Sequence, residues 1–343
     1  MAYTTINKHT DYFNTKLYTG NGGTNAITGV GHQPDWVWTK RRDAAGDHAL
    51  YDVVRGVSKM VNSNSANAES TVSGVTSFDS DGFTLGSGGD SNGNSETYAS
   101  WNWKANGAGS SNGNGTITST VSANTTAGFS IVKYAGPGSG SATVGHGLGV
   151  KPKSIIIKSM TNAENWGFWI DTTGNGTADK RLVLNGNAGD YGNYFVSFQN
   201  NTFTLPSHND GSWSGSGQNY IAYCFAEKTG YSKFNSYTGN GNANGSFVYT
   251  GFKPAVIIAK ITSSTSNWRI FDNKRLGYNI DNNPLFPNTN SAEGTDDNID
   301  ILSNGFKWRT TDGALNGSGS TYLYMAFAEA PLVGTNNIPC TAR

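Results

Sequence analysis

Residues 34–40 read PDWVWTK, and the same Pro-x5-Lys pattern returns as PKSIIIK at 152–158 and as PAVIIAK at 254–260. Other landmarks repeat with these segments: a Tyr-x-Gly-x-Gly turn before each one, an aspartate after it and an aromatic closing strand. The turns begin at Tyr18, Tyr134 and Tyr237, the aspartates are Asp52, Asp171 and Asp272, and the closing strands contain Tyr98, Tyr220 and Tyr322. Divergent copies that keep such landmarks at similar spacing predict one structural unit written three times.

The local patterns of the repeat are those of β-strands. The runs SIIIK (154–158) and VIIAK (256–260) are short, β-branched and continuous, which is typical of strands buried on both faces. The segments 220–227 and 322–328 are almost entirely apolar and are expected to be central strands of their sheets. No sustained i, i+3, i+4 apolar pattern occurs, so helices should be short or absent. With the Asn-Gly, Asp-Gly and Gly-Ser turns, these patterns predict an all-β protein of three tandem antiparallel β-sandwich domains, jelly-roll or lectin-like.

The repeat also divides the chain. We expect β-sandwich repeat 1 at residues 1–105, repeat 2 at 129–229, and repeat 3 with a C-terminal tail at 230–343. Residues 106–128 are rich in Gly, Ser, Thr and Asn with few apolar anchors, which predicts a flexible linker or an extended arm. Only Lys228-Thr229-Gly230 joins repeats 2 and 3, so these two are expected to pack as a rigid pair.

The composition limits the classes of function. The 343 residues include 24 basic and 24 acidic side chains, and no basic cluster exceeds Lys40-Arg41-Arg42, which predicts that the protein binds no nucleic acid. The chain opens without a cationic and apolar signal segment and has no run near the roughly 20 apolar residues of a membrane helix. We therefore expect no membrane insertion, and synthesis in a cytoplasm without secretory export. Cys224 is expected to be a small buried hydrophobe, and with Cys340 it does not form a disulfide framework.

Histidine is scarce and does not occur at metal-binding spacing. The five histidines are His9, His32, His48, His146 and His208. None forms a His-x-x-His or His-Glu-x-x-His pair, which would place two zinc ligands on one face. The expectation is that they are exposed loop residues and that the protein holds no metal or other cofactor.

The carboxylates and serines give no catalytic pattern. The six glutamates are Glu69, Glu96, Glu164, Glu227, Glu293 and Glu329. Glycoside hydrolysis needs two carboxylates flanking one bond, and the strand pattern Glu-x-Asp-x-x-Glu that supplies them in legume-lectin-like hydrolases is absent, although a pair built across loops stays open. Glu227 and Glu329 are equivalent in two repeats, which indicates a structural task at a strand end. Ser216 and Ser318 lie in one repeated turn that leads into a strand, which is not the context of a nucleophile elbow.

Residues 171–179 (DTTGNGTAD) partly imitate a calcium loop. Oxygen-bearing side chains occupy positions one, three, five and nine, and a glycine occupies position six. The twelfth position, where a bidentate glutamate should lie, is Leu182. We expect a Gly-rich hairpin loop whose Asp and Asn side chains stabilise turns, with calcium binding as the alternative.

Tryptophans fall into two groups. Trp36 and Trp38 alternate on one strand, as do Trp101 and Trp103 on another, so each pair shares a face. Units 2 and 3 carry Ile and Ala or Met at the matching positions, which favours a core role over sugar binding. Trp213, in the loop 210–215, is the better candidate for an exposed aromatic, since loop tips carry recognition. The pattern assigns no receptor-binding residue beyond this candidate.

The repeated segments resemble a family of structural proteins from marine tailed bacteriophages, described as tail fibre or lectin-like. The resemblance spans nearly the whole chain, and the segments that carry it include YFNTKLYTGNGG (12–23), GVGHQPDWVWTK (29–40), YIAYCFAEKTGYSKFNSYTGNGN (220–242) and TYLYMAFAEAPLV (321–333). It implies a virion component and brings no catalytic or ligand-binding residue to this chain.

The resemblance and the repeat together predict a non-enzymatic virion protein, a tail fibre or adhesin for host-surface recognition. The alternatives are a capsid decoration or head-fibre (vertex) protein and, third, a depolymerase that cleaves surface polysaccharide. The expected partners are other virion proteins of the tail or capsid, further copies of the chain, with a trimer by analogy to fibre proteins, and a glycan or protein of the host surface.

Overall fold

The computed structural model describes residues 4–139, 141–275, 279, 283–296 and 298–331, without the side chains of the last two. The protein is all-β. In the described part of the chain, helix is confined to a 3-10 turn at His9–Asp11 and the short helix α1 at Gly89–Asn92. No helix among these residues is long and apolar enough to cross a membrane.

Unit 1, residues 4–105, forms a four-stranded sheet, a three-stranded sheet and a small ribbon. Its strands are β1 Phe13–Thr19, β2 Asn25–Thr28, β3 Trp36–Arg41, β4 His48–Asp52, β5 Lys59–Met60, β6 Ser70–Thr71, β7 Val75–Asp79, β8 Gly82–Leu85 and β9 Thr97–Trp103. The strand orders are β1-β9-β3-β4, β2-β8-β7 and β5-β6.

Unit 2, residues 106–229, has a larger main sheet. Its strands are β10 Ser110–Asn112, β11 Ser119–Asn124, β12 Phe129–Ala135, β13 Thr143–Gly145, β14 Ser154–Ser159, β15 Gly167–Ile170, β16 Lys180–Val183, β17 Ser197–Phe198, β18 Thr202–Thr204 and β19 Asn219–Phe225. The orders are β10-β11-β12-β19-β14-β15-β16 and β13-β18-β17.

Unit 3, residues 230–331, repeats the arrangement of unit 1. Its strands are β20 Ser232–Thr238, β21 Phe247–Tyr249, β22 Phe252–Ile261, β23 Arg269–Asp272, β24 Ile299–Leu302, β25 Gly305–Trp308 and β26 Thr321–Pro331. The orders are β20-β26-β22-β23 and β21-β25-β24, and the strand pairs of all three units are antiparallel.

The closing strand is central in every main sheet, as its apolar sequence predicts. In each unit it lies between the strand that precedes the Tyr-x-Gly turn (β1, β12 or β20) and the Pro-led strand (β3, β14 or β22). In β19, Tyr220, Ala222 and Cys224 face the small sheet of unit 2, whereas Ile221 and Tyr223 belong to a second core on the other face. A strand covered on both faces can carry apolar residues at every position, which explains why alternation is missing from the sequence.

Residues 106–128 form part of the main sheet of unit 2. They contain β10 and β11: β11 pairs with β12, and β10 pairs with β11 and forms the edge of the sheet. Val121 enters the core of unit 2, and Ile117 and Ala123 pack against it. Few apolar side chains are needed here because main-chain hydrogen bonds to β12 hold the segment. The described part of the chain therefore shows this segment as extended and paired with the sheet.

The three units share one central core. It contains residues from the outer faces of all three main sheets, with Trp36 and Trp103 of unit 1, Tyr223 and Phe225 of unit 2 and Phe327 of unit 3 among them. The ring centroids of Trp36 and Tyr223 are 4.3 Å apart, those of Trp103 and Phe327 5.6 Å, and those of Phe225 and Phe327 5.9 Å. Unit 1 therefore packs against units 2 and 3 as closely as these pack against each other.

The units close into a ring through equivalent contacts. After the Pro-led strand of each unit, a carbonyl accepts a backbone N–H from a loop of the preceding unit. The bonds run from Glu69 N to Met160 O (3.1 Å), from Asp190 N to Thr262 O (2.8 Å) and from Glu293 N to Arg42 O (2.9 Å). Each interface is head-to-tail, and the third returns from unit 3 to unit 1, so the chain forms a closed ring with approximate threefold symmetry.

Candidate functional site

The repeat aspartates Asp52 and Asp272 hold the ring together. Asp52 Oδ2 accepts Arg55 Nε at 2.5 Å and the hydroxyl of Tyr223, from unit 2, at 2.8 Å. Asp272 Oδ2 accepts Arg275 Nε at 2.7 Å, and it also accepts an indole N–H, that of Trp101 in unit 1, at 3.1 Å. Both ion pairs are buried. Buried charges persist when they are paired and fully hydrogen-bonded, which is the case here.

The third repeat aspartate, Asp171, bonds to its own loop. The position equivalent to Tyr223 and Trp101 is Met325 in unit 3, which cannot donate a hydrogen bond. Asp171 instead accepts N–H groups of Gly174 (2.6 Å) and Gly176 (2.8 Å) and the hydroxyl of Thr173. Burial alone would raise the pKa of Asp171, but these donors outweigh it and lower the pKa.

These contacts give the loop 171–179 the geometry of a hairpin loop. N–H donors that point at Asp171 occupy the carboxylate oxygens that a cation would need. Asp179 likewise accepts the backbone N–H and the hydroxyl of Thr172. Within the described residues, no group of three or more His, Cys, Asp or Glu side chains could hold a metal ion. Donors directed at the aspartates favour the hairpin interpretation over calcium.

One ring N–H per unit reaches back to the preceding unit. The residues occupy the same position, eight after the buried lysine that is second to last in the Pro-led strand. The bonds join His48 Nε2 to Phe286 O at 2.9 Å, Trp166 Nε1 to Asn62 O at 2.9 Å and Trp268 Nε1 to Val183 O at 3.0 Å. Because Trp38 Nε1 donates to His48 Nδ1, the His48 ring is neutral and carries its proton on Nε2.

The expectation of exposed histidines is wrong for three of the five. His32, His48 and His146 are buried, and each ring forms a hydrogen bond with a main-chain carbonyl. Burial lowers the pKa of His32 to about 4, and it lowers the pKa of His48 and His146 as well. His208 is exposed, as expected, and stacks on Tyr194.

Five glutamates have structural partners. Glu69, Glu96, Glu293 and Glu329 form ion pairs with Arg55, Arg41, Arg42 and Lys253 respectively, and Glu227 accepts the backbone N–H of Phe234. The sixth, Glu164, forms no ion pair with any residue that the structure describes. It lies instead at a pocket of unit 2.

The unit-2 pocket has a volume of about 270 Å³ and is open to solvent. Its walls include Glu164, Gly167, Arg181, Tyr191, Asp210 and Trp213. The structure thus brings two carboxylates from separate loops to one cavity, the arrangement that the sequence left open.

Arg181 is held among aromatic rings at this pocket. Its guanidinium carbon is 4.8 Å from the ring centroid of Trp213, 5.1 Å from that of Tyr191 and 5.5 Å from that of Tyr194. Burial lowers the pKa of Arg181, and the charge of Asp210 opposes the shift. Arg181 Nη1 donates to Asn193 Oδ1 at 2.9 Å, whereas Nε is buried without a hydrogen-bond partner among the described residues. These cation–π contacts fix the guanidinium and the tyrosine rings together.

The expectation that Trp213 is exposed is wrong. Its side chain is fully buried, packed edge-on against Trp169, and its indole N–H donates to His208 O at 3.1 Å. The loop 210–215 folds over its own aromatic residue because a buried indole with a bonded N–H is more stable than an exposed one. The rings exposed near this loop are those of Tyr191 and Tyr194, with exposed fractions of 47% and 39%.

Unit 3 differs from unit 2 at the position of this pocket. In strand register, Gly167 corresponds to Arg269 of unit 3, and Asp210 corresponds to Asp312. Arg269 and Asp312 form an ion pair at 2.6 Å, which occupies the equivalent space. In unit 2 a Cβ at Gly167 would collide with the ring of Trp169, so the glycine makes room for that ring, and no arginine reaches Asp210 from this position. Comparing these aligned positions would have been the sequence signal for the site.

A second cavity lies where units 2 and 3 meet. Its volume is about 390 Å³, and Glu227, Lys233 and Tyr249 line it. Tyr249 is 52% exposed, with Lys233 Nζ 5.4 Å from its ring centroid. The Glu227 carboxylate is already engaged at the N–H of Phe234, so this cavity offers fewer free polar groups than the unit-2 pocket.

Comparison with known proteins identifies one family. A family model described as a domain of unknown function, DUF7483, matches residues 8–331, which is most of the chain and includes all three units. No curated protein and no solved structure is significantly similar to the chain. One domain model across the three units agrees with a ring that has a common core. The chain belongs to the DUF7483 family of domains of unknown function.

Proposed function

We propose that the chain is a non-enzymatic structural protein of a bacteriophage virion, a tail fibre or adhesin that contacts the host surface. The resemblance of its repeated segments to phage structural proteins supports the location. The interlocked ring supports the structural role and carries the proposal. Asp52, Asp272, His48, Trp166 and Trp268 could serve chemistry or binding, but they are used to join one unit to the next.

In this proposal each unit is an antiparallel β-sandwich. Support comes from unit 1, where one buried cluster joins the two sheets: Val37, Ala49 and Tyr51 of the main sheet pack with Ile27 and Phe83 of the small one. Two sheets face to face over a shared apolar layer are the defining feature of a sandwich. The sandwiches would be subdivisions of one ring, since their outer faces also contribute to the common core.

The closest alternative is a capsid decoration or vertex protein. A ring with approximate threefold symmetry suits a threefold position on a shell as well as the axis of a fibre. Because one chain already closes the ring, the homo-oligomer that we propose would assemble through outer surfaces of the ring.

A depolymerase is the other alternative, and one observation favours it. Glu164 and Asp210 line a single pocket, and glycoside hydrolases use two carboxylates on opposite sides of the scissile bond. An assay for new reducing ends after incubation with host polysaccharide distinguishes an adhesin from a depolymerase. We expect no product from an adhesin. Product that disappears with Glu164→Gln would replace our proposal by the depolymerase.

Labelling intact particles tests the location. Gold-conjugated antibodies against this chain should bind the tail region of virions in electron micrographs. Labelling of the capsid shell would favour the decoration protein instead. Purified particles that carry no label at all, although the antibody detects the free protein, would contradict a virion role.

A further inference from the structure

We propose that the unit-2 pocket binds a neutral sugar residue of a surface glycan, stacked on Tyr191 and bonded through its hydroxyls to Glu164 and Asp210. This inference deepens the proposed function and rests on it for the source of the glycan. The pocket geometry that carries it is independent of that source.

Tyr191 supplies the stacking surface. Nearly half of its side chain is exposed at the pocket, and one face of the ring is backed by the Arg181 guanidinium. The Tyr191 N–H also donates to Arg181 O at 2.9 Å, which fixes the backbone that carries the ring. A rigid, exposed tyrosine ring matches the apolar C–H face of a pyranose and loses little side-chain entropy on binding.

The two carboxylates supply acceptors for hydroxyl groups. Glu164 has no ion-pair partner among the described residues, and its carboxylate lies against Gly211, where a larger residue would displace it. Asp210 Oδ1 accepts the N–H of Ser212 at 2.7 Å, and no hydrogen bond joins its other oxygen to a described residue. Ionised carboxylates accept several hydrogen bonds each, and adjacent sugar hydroxyls are suitable donors.

The charge balance selects against acidic sugars. Two carboxylates face one guanidinium at the pocket, and the nearby Lys180 is already paired with Asp179 and Asp190. The local net charge is therefore negative. A uronic or sialic acid would bring a further carboxylate, and like-charge contacts cost binding energy. The chemistry that fits is a neutral hexose or N-acetylhexosamine.

The first test is a direct binding measurement with the purified full chain. The probes are neutral oligosaccharides of hexose and N-acetylhexosamine units, immobilised beside matched oligosaccharides that carry a uronate. We expect binding to a neutral probe and weaker binding to its acidic counterpart. Stronger binding to the acidic probe, or no binding to any neutral probe, would overturn the inference.

Variants test the residues. Tyr191→Ala should weaken binding about tenfold or more, as for the loss of a central aromatic contact, and Tyr191→Phe should restore most of it. Glu164→Gln should also weaken binding. The matched control is Tyr249→Ala, which removes an equally exposed tyrosine from the other cavity and should leave affinity unchanged. Unchanged binding by Tyr191→Ala, with an unchanged unfolding midpoint, contradicts the site.

The binding experiment and the labelling experiment test the two proposals independently. If the purified protein binds a neutral glycan through Tyr191 but antibodies label no particle, the pocket assignment stands and the virion role falls. If particles are labelled but the protein binds no neutral probe, the virion role stands and the ligand assignment falls.

Discussion

Lys40, Lys158 and Lys260 occupy the same position in the three units, and each side chain is fully buried. Their ammonium groups donate to main-chain carbonyls, as Lys158 Nζ does to Ala66 O of the preceding unit. Burial lowers the pKa of all three to about 8. A folded-state pKa below the unfolded value means that charging these groups opposes folding at neutral pH.

Lys260 is the best position at which to measure the free-energy cost of burying the charged lysine, because its Nζ bonds only to Ile261 O among the described residues. The pKa difference corresponds to roughly 3 kcal/mol, and the lost hydrogen bond offsets about 1 kcal/mol of it. Lys260→Met should therefore raise the free energy of unfolding by about 1–2 kcal/mol at pH 7. Between pH about 8 and 10.5 the unfolded wild type binds more protons, so its stability rises and the difference should shrink. Denaturant titrations from pH 7 to 10 measure it, and a less stable variant at pH 7 would contradict the argument.

The cross-unit bond from Tyr223 to Asp52 gives a second prediction. Tyr223→Phe removes a donor from a buried carboxylate and should lower the free energy of unfolding by about 1.5–3 kcal/mol. Met325→Leu is the matched control, because the Met325 side chain holds the equivalent position and cannot donate a hydrogen bond, and the change conserves volume. Chemical denaturation measures both variants. Equal losses would mean that packing, and not the bond, stabilises this interface.

Single-residue environments were the hardest part to predict from the sequence. Burial of Cys224 and of the paired tryptophans is confirmed, since each lies in an apolar strand. Trp36 and Trp103, however, pack between units and not inside one unit. The burial of Trp213 and His48 depends on which main-chain carbonyl lies within hydrogen-bonding distance of the ring N–H. That depends on loop geometry, which composition and periodicity do not encode.

At the scale of elements, the close packing of the Tyr-x-Gly turn requires a glycine at its third position. A Cβ at Gly20, Gly136 or Gly239 would collide with a backbone carbonyl oxygen, that of Gly93, Gly215 or Gly317 respectively. The same close approach recurs in all three units, so the glycine is part of the fold. Gly136→Ala should cost about 2 kcal/mol or more, since backbone atoms cannot move aside cheaply.

The control for this turn is Gly113→Ala, where a Cβ would meet no atom within 4 Å. It should change the free energy of unfolding by less than about 0.5 kcal/mol. Thermal unfolding of the two variants and the wild type gives the comparison. A Gly136→Ala variant as stable as the control would show that the turn can relax.

Strands were the most predictable elements. The Pro-led and closing strands lie where their apolar runs predict, and helices are short, as the missing 3.6-residue period indicates. The arm 106–128 was less predictable because main-chain pairing holds β10 and β11 with few buried apolar side chains. A Gly- and Ser-rich strand at the edge of a sheet has no distinctive pattern of hydrophobic residues.

For the whole molecule, the common core predicts cooperative unfolding. Phe225 of unit 2 contacts Trp36 of unit 1 and Phe327 of unit 3, so no unit can unfold without exposing aromatic surface of the others. We expect one transition in which fluorescence and circular dichroism coincide. Hydrogen exchange should give similar opening free energies for β3, β14 and β22. Separate transitions for the three units would contradict a shared core.

The sequence predicts three similar units but not their closure into a ring. The residues that close the ring, His48, Trp166 and Trp268, all lie eight residues after the buried lysines. Their equivalence is not evident from the sequence because one imidazole and two indoles form the same hydrogen bond to the preceding unit. The pocket was not predicted because its two carboxylates, Glu164 and Asp210, lie on separate loops that are far apart in the sequence.

Joining three units in one polypeptide also sets the valency of the molecule. A ring made from three identical chains displays each surface feature three times, whereas here the features of unit 2 occur once per molecule. A single pocket gives no avidity by itself, because avidity requires linked sites that can be engaged together. If the chain attaches a particle to its host through this pocket, as we propose, firm attachment would come from the number of copies on the particle, and losing copies should weaken adsorption more steeply than losing affinity at any one of them.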